Sequence, residues 1–73
     1  MTTIRILPTF DIWLSGIKDS MTRIRLGRHL DKAKRGLLGD VEPVGEGVFE
    51  MHEHFGPGWR MYYVQRGNEL IIL

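Results

Sequence analysis

Apolar residues recur along this chain with a short period at its start, a helical period next, and a short period again after residue 47. Thr3 to Leu7 (TIRIL) alternates apolar or β-branched residues with Arg5 and stops at Pro8, which predicts a short first strand. A helix follows, with Thr9 as its cap or Pro8 in its first turn. Phe10, Trp13, Leu14 and Ile17 stand at i, i+3, i+4 and i+7, the stripe of an amphipathic helix, with Trp13 as a core anchor. Gly16 and Lys18-Asp19-Ser20 close it. Ser20 caps a second helix running to about Arg35, and Gly36 provides a left-handed stop. Leu26, Leu30, Ala33 and Leu37 share one of its faces and should pack on a sheet.

From Gly36 to Gly47 the glycines and Pro43 predict a loop, anchored in part by Leu37, Leu38, Val41 and Val44. Strands resume with Val48 to His54, Trp59 to Gln65 and Glu69 to Leu73, separated by a Gly56-Pro57-Gly58 turn and by Arg66-Gly67-Asn68. The expected order is β-α-α-β-β-β: an α+β domain whose antiparallel sheet is covered by an N-terminal helical hairpin. The glycine-proline-glycine turn is the most closely specified piece of backbone, and it delivers Arg60 to the start of a strand. The period of two then puts Arg60 on the same face as Tyr62.

Seventy-three residues make one small domain, and with 42% apolar and 26% charged residues the composition is that of a globular protein. No apolar run approaches the roughly 20 residues that span a bilayer, and MTTIRIL lacks the apolar core of a signal peptide. The absence of cysteine removes disulfides and thiolate metal sites. A cytoplasmic protein without membrane association is expected.

The net charge of +1 conceals a segregation: seven of the ten Lys and Arg lie between Lys18 and Arg35, and five of the nine acids lie between Gly36 and Glu53. On the second helix Arg25, Arg28, Lys32 and Arg35 form one basic ridge, which is what a solvated helix face looks like and also what a polyanion or acidic partner requires. His52 and His54 have metal-ligand spacing, but no third ligand is evident beside them, and no metal is expected. Glu50, His52 and His54 share a strand face and are candidate acid or base groups. Arg60 offers a planar guanidinium to phosphate oxygens, and Tyr62 a ring to a nucleobase. No Walker loop, HExxH, CxxC or nucleophile elbow is present.

TIRILPTFDIWLSGIKD, the basic helix, and GDVEPVGEGVFEMHEHFGPGWRMYYVQRGNELIIL together resemble the RelE/ParE toxin superfamily, in its HigB-like "addiction module killer protein" branch, over essentially the whole chain. FGPGWR is the most specific part of the match. The resemblance implies the toxin of a type II toxin-antitoxin module: a ribosome-dependent mRNA endonuclease in which the RNA's 2′-hydroxyl attacks the adjacent phosphate, without metal or other cofactor. It implies transition-state charge stabilisation by Arg60, with His54, Glu50 and His52 as further site candidates. It also implies contact of Arg25, Arg28, Lys32, Arg35 and Tyr62 with RNA or with a cognate antitoxin. Its implied partners are mRNA, the ribosome and that antitoxin, in a homodimer or a hetero-oligomer. A ParE-like inhibitor of DNA gyrase, or an inactive remnant that binds only antitoxin, are the alternatives. Family members continue past the last strand into a C-terminal helix, so this chain reads as C-terminally truncated.

Overall fold

Leu7 and Pro8 turn the chain from strand to helix within one residue, so the first helix begins where the first strand ends. The computed structural model describes residues 2–73. Its elements are β1 (Thr3–Ile6), α1 (Pro8–Ser15), α2 (Ser20–Lys34), β2 (Asp40–Gly45), β3 (Val48–His52), β4 (Arg60–Arg66) and β5 (Glu69–Ile72). Pro8 occupies the first turn of α1, where a missing N–H costs nothing, and the Leu7 carbonyl accepts from Phe10 and Asp11 N–H. Thr9 therefore lies inside the helix. The cap of α2 is Asp19, one residue before the expected Ser20. Its carboxylate accepts from Met21 N–H and the Thr22 hydroxyl, and these bonds hold it below its ordinary pKa.

All strands form one sheet in the order β1-β5-β4-β3-β2. The sheet is mixed, not purely antiparallel as expected: β1 runs parallel to β5, with Ile4 opposite Leu70 and Ile6 opposite Ile72. The two helices between β1 and β2 supply the crossover that a parallel pair requires. The order is thus β-α-α-β-β-β-β, one strand more than expected, because Asp40–Gly45 is a strand and not a loop. Pro43 and the glycines argued against a strand, but β2 is an edge, where proline has no ladder donor to lose. Glu46 and Gly47 (φ 55° and 77°) make a two-residue hairpin loop with both residues left-handed, and the register shifts between Pro43 and Gly45.

One face of the sheet meets the helices. Phe10 of α1 and Leu26, Leu30 and Ala33 of α2 pack with Met51, Met61, Tyr63, Leu70 and Ile72. Three of the four residues in the expected α2 stripe are in this core. Leu37 is not: it is 57% exposed, because α2 ends at Lys34 and Gly36 (φ 80°) redirects the chain, so that Leu38 packs in its place. Trp13, expected as a core anchor, is 39% exposed and sits edge-on to Trp59 with ring centroids 5.9 Å apart. Among the described residues no helix is long and apolar enough to cross a membrane.

Candidate active site

Alternation along β3 and β4 sends Met51, Met61 and Tyr63 to the core, so Glu50, His52, Arg60 and Tyr62 share the opposite face. The register then sets the pairs: Glu50 lies across from Tyr62, and His52 across from Arg60. The additional strand β2 changes their setting, since it makes β3 an interior strand and places Glu42 across from Glu50 and Asp40 across from His52.

Glu50 is the centre of this face and is buried, with its residue only 8% exposed. Its carboxylate is held below the ordinary range first by a hydrogen bond from the Tyr62 hydroxyl, against the opposing effect of burial, and then by the charges of His52 and Arg60. The same bond raises the Tyr62 phenol. Arg60 Nε lies 3.9 Å from Glu50 Oε1, a loose pair that leaves the guanidinium mostly in solvent. His52 Nε2 touches Glu50 Oε1 and lies 3.7 Å from Glu42 Oε2. This nitrogen is shielded from solvent and sits against the Glu50 carboxylate.

His54 stands apart from that group. It follows the end of β3, not within it as expected, and its Nε2 is 3.0 Å from Asp40 Oδ2 at the start of β2. There it lines a cleft of about 390 Å³ together with Arg25, Arg28 and Lys32 of α2. His52 reaches the wall of the same cleft, so the basic helix face and the sheet cluster meet at this residue. Arg35 lies beyond the cleft, at the C-cap of α2.

The turn that carries Arg60 is braced from both ends. Glu53 N–H donates to Trp59 O, Gly56 and Gly58 take positive φ, and the Arg25 guanidinium lies 4.8 Å from the Phe55 ring centre. His29, outside the expected site, is a polar tie from α2 to the sheet: one ring nitrogen contacts Glu53 and the other lies 2.7 Å from the Leu38 carbonyl oxygen. No periodicity announces this, because His29 sits beside the apolar stripe of α2. Glu42 was missed for a different reason. Its segment read as loop, and only the β2–β3 register brings it to His52.

In chemical terms the face presents an ionised carboxylate, an imidazole in contact with it, and a cation free to take an oxyanion. The chain is similar to an uncharacterized protein of Haemophilus influenzae, 32% identical over 65 residues that make up 89% of this chain and 66% of the length of that protein. No protein-family profile matches the chain, and no solved structure does.

Proposed function

We propose that the chain is the toxin of a type II toxin-antitoxin module with a RelE/ParE-like arrangement, and that it cleaves mRNA on the ribosome. The observation that carries this reading is the register of β3 and β4, which sets Glu50 against Tyr62 and His52 against Arg60 on one open face. Cleavage by the RNA's own 2′-hydroxyl requires a group to take its proton, a cation beside the phosphorane, and an acid for the leaving oxygen. Imidazole is the side chain best suited to move protons near neutral pH, and His52 is the proton carrier on this face. Glu50, kept ionised by its neighbours, orients that imidazole and compensates its charge. Arg60, 60% exposed, is free to hold two phosphate oxygens. Arg25, Arg28, Lys32 and His54 line the adjoining cleft and hold the RNA backbone on either side of the cut.

The test is induction of the gene in growing cells followed by mapping of mRNA ends, with purified ribosomes and RNA as the second system. Cuts that appear with the wild type and vanish with Arg60→Ala support the reading. Growth arrest accompanied by DNA damage, with mRNA left intact, would move the assignment to gyrase inhibition.

A further inference from the structure

Glu42, Glu50 and His52 come from two paired strands, and their ligand atoms all lie within 4.8 Å of one another. We propose that they form a binding site for a divalent transition metal, with Zn²⁺ as its representative. This site shares Glu50 and His52 with the nuclease reading but does not rest on it, since it concerns only what the three side chains hold.

The placement follows from backbone register. Glu50 and His52 stand two residues apart on β3 and so point the same way, and Glu42 is directly opposite Glu50 on β2. Among the three ligands Glu42 has the most freedom to turn, since it is 67% exposed. The donor set is mixed: two carboxylate oxygens and one imidazole nitrogen, a combination that selects zinc and its first-row neighbours over magnesium, which prefers all-oxygen octahedral surroundings.

The state of His52 is the second observation. Its Nε2 is closed off from water, sits against Glu50 Oε1 and lies 3.7 Å from Glu42 Oε2. A buried nitrogen in that condition is costly unless a proton or a cation sits between it and the oxygens. The Tyr62 hydroxyl on Glu50 would serve as the outer partner that orients a ligating carboxylate. Two other groups face the site. Asp40, opposite His52 in the ladder, is engaged by His54, and Arg60 competes for Glu50 from 3.9 Å and must swing outward, as its exposure permits.

The experiment is calorimetric titration of the metal-stripped full chain with ZnCl₂ near neutral pH, with MgCl₂ as the contrast. One equivalent of Zn²⁺ should bind saturably, and Mg²⁺ should bind at least about 10-fold more weakly. Glu42→Gln changes only an exposed side chain and should weaken Zn²⁺ at least about 10-fold, as should His52→Gln. His54→Gln should leave the affinity unchanged, and the His52 ring resonances should shift on addition of Zn²⁺. No saturable binding, binding untouched by Glu42→Gln and His52→Gln, or binding lost in His54→Gln would overturn the proposal. The last two outcomes would put the ion elsewhere, and the first would leave a proton as the only bridge between His52 and its carboxylates.

Discussion

Glu50 and Tyr62 face each other across the β3–β4 ladder, and the bond between them moves their two acidities in opposite directions. Because that hydrogen bond is the largest influence on Glu50, Tyr62→Phe should raise the carboxyl pKa, read as the Glu50 side-chain carbon resonance against pH. The consequence for stability has a definite sign. A carboxyl whose folded pKa is depressed stabilises the fold above its unfolded pKa and loses that contribution as pH falls through the folded value. The advantage of wild type over Tyr62→Phe in denaturant should therefore be full at neutral pH and shrink below about pH 4. An advantage that grows on acidification would contradict the assignment.

Much of the framework was legible because it rests on periodicity. The α2 stripe Leu26, Leu30 and Ala33, the alternation of Met61 and Tyr63 against Arg60 and Tyr62, and the Gly56-Pro57-Gly58 turn all obey local rules that the fold respects. The two misses in sheet topology share one cause, pairing that no local pattern shows. β2 was hidden because proline and glycine predict a break, and their cost depends on whether a strand is interior or an edge, which no local pattern shows. The parallel pairing of β1 with β5 was hidden because pairing partners are far apart in sequence. The misreading of the Glu50 face stems from the hidden edge strand. Without β2 there is no Glu42 beside His52, and Glu50 looks like a solvated group on an edge when it is in fact the buried centre of the face.

Arg60→Ala separates catalysis from folding. Its side chain is 60% exposed, pairs loosely with Glu50 and reaches the Tyr62 hydroxyl, and contacts this open to solvent contribute little, so the melting temperature should change by only a few degrees. Loss of a preorganised charge from a developing oxyanion costs about 10²- to 10³-fold in rate, and cleavage in a ribosome assay should fall by that order. Arg60→Lys should recover only part of it, because an ammonium cannot take two phosphate oxygens in one plane. Equal rates in wild type and Arg60→Ala would remove this residue from the chemistry.

The cleft between α2 and His54 makes a separate prediction about salt. If Arg25, Arg28 and Lys32 neutralise backbone phosphates, the logarithm of the RNA affinity should fall linearly with the logarithm of salt concentration. Replacing Arg28 by Ala should lower that slope by about 1 and weaken binding to all sequences alike. Arg35→Ala, beyond the cleft, should leave the slope unchanged. Fluorescence anisotropy with short single-stranded RNAs measures both.

His29 is a stability residue with no part in the proposed chemistry. Its ring is 11% exposed and contacts Glu53, which is 16% exposed, as well as the Leu38 carbonyl. His29→Ala removes the partner of a half-buried carboxylate and of a carbonyl, and since a fully buried group left without its partner costs about 1–3 kcal/mol, the loss here should lie toward the lower end of that range for each. For a domain of this size that is a large share of a total of about 5 kcal/mol or more. Urea denaturation should show a lower midpoint with little change in slope. The loss should also loosen the turn before Arg60, since Glu53 N–H closes that turn on Trp59, and hydrogen exchange at Glu53 should quicken.

Zinc and catalysis compete for the same side chains, and this links the two proposals through one measurement. A metal held by Glu42, Glu50 and His52 takes the imidazole and the carboxylate to which the proposed cleavage assigns proton transfer and its orientation. RNA cleavage by wild type should therefore be inhibited by Zn²⁺ at concentrations that saturate the site in calorimetry. Glu42→Gln should be as active as wild type without the metal, because Glu42 only approaches His52 at 3.7 Å and is otherwise in solvent, and it should resist inhibition at least about 10-fold better. The two readings fail separately. Absence of cleavage in every protein would refute the nuclease and leave the calorimetric site standing, whereas equal inhibition of wild type and Glu42→Gln would show zinc acting at another place.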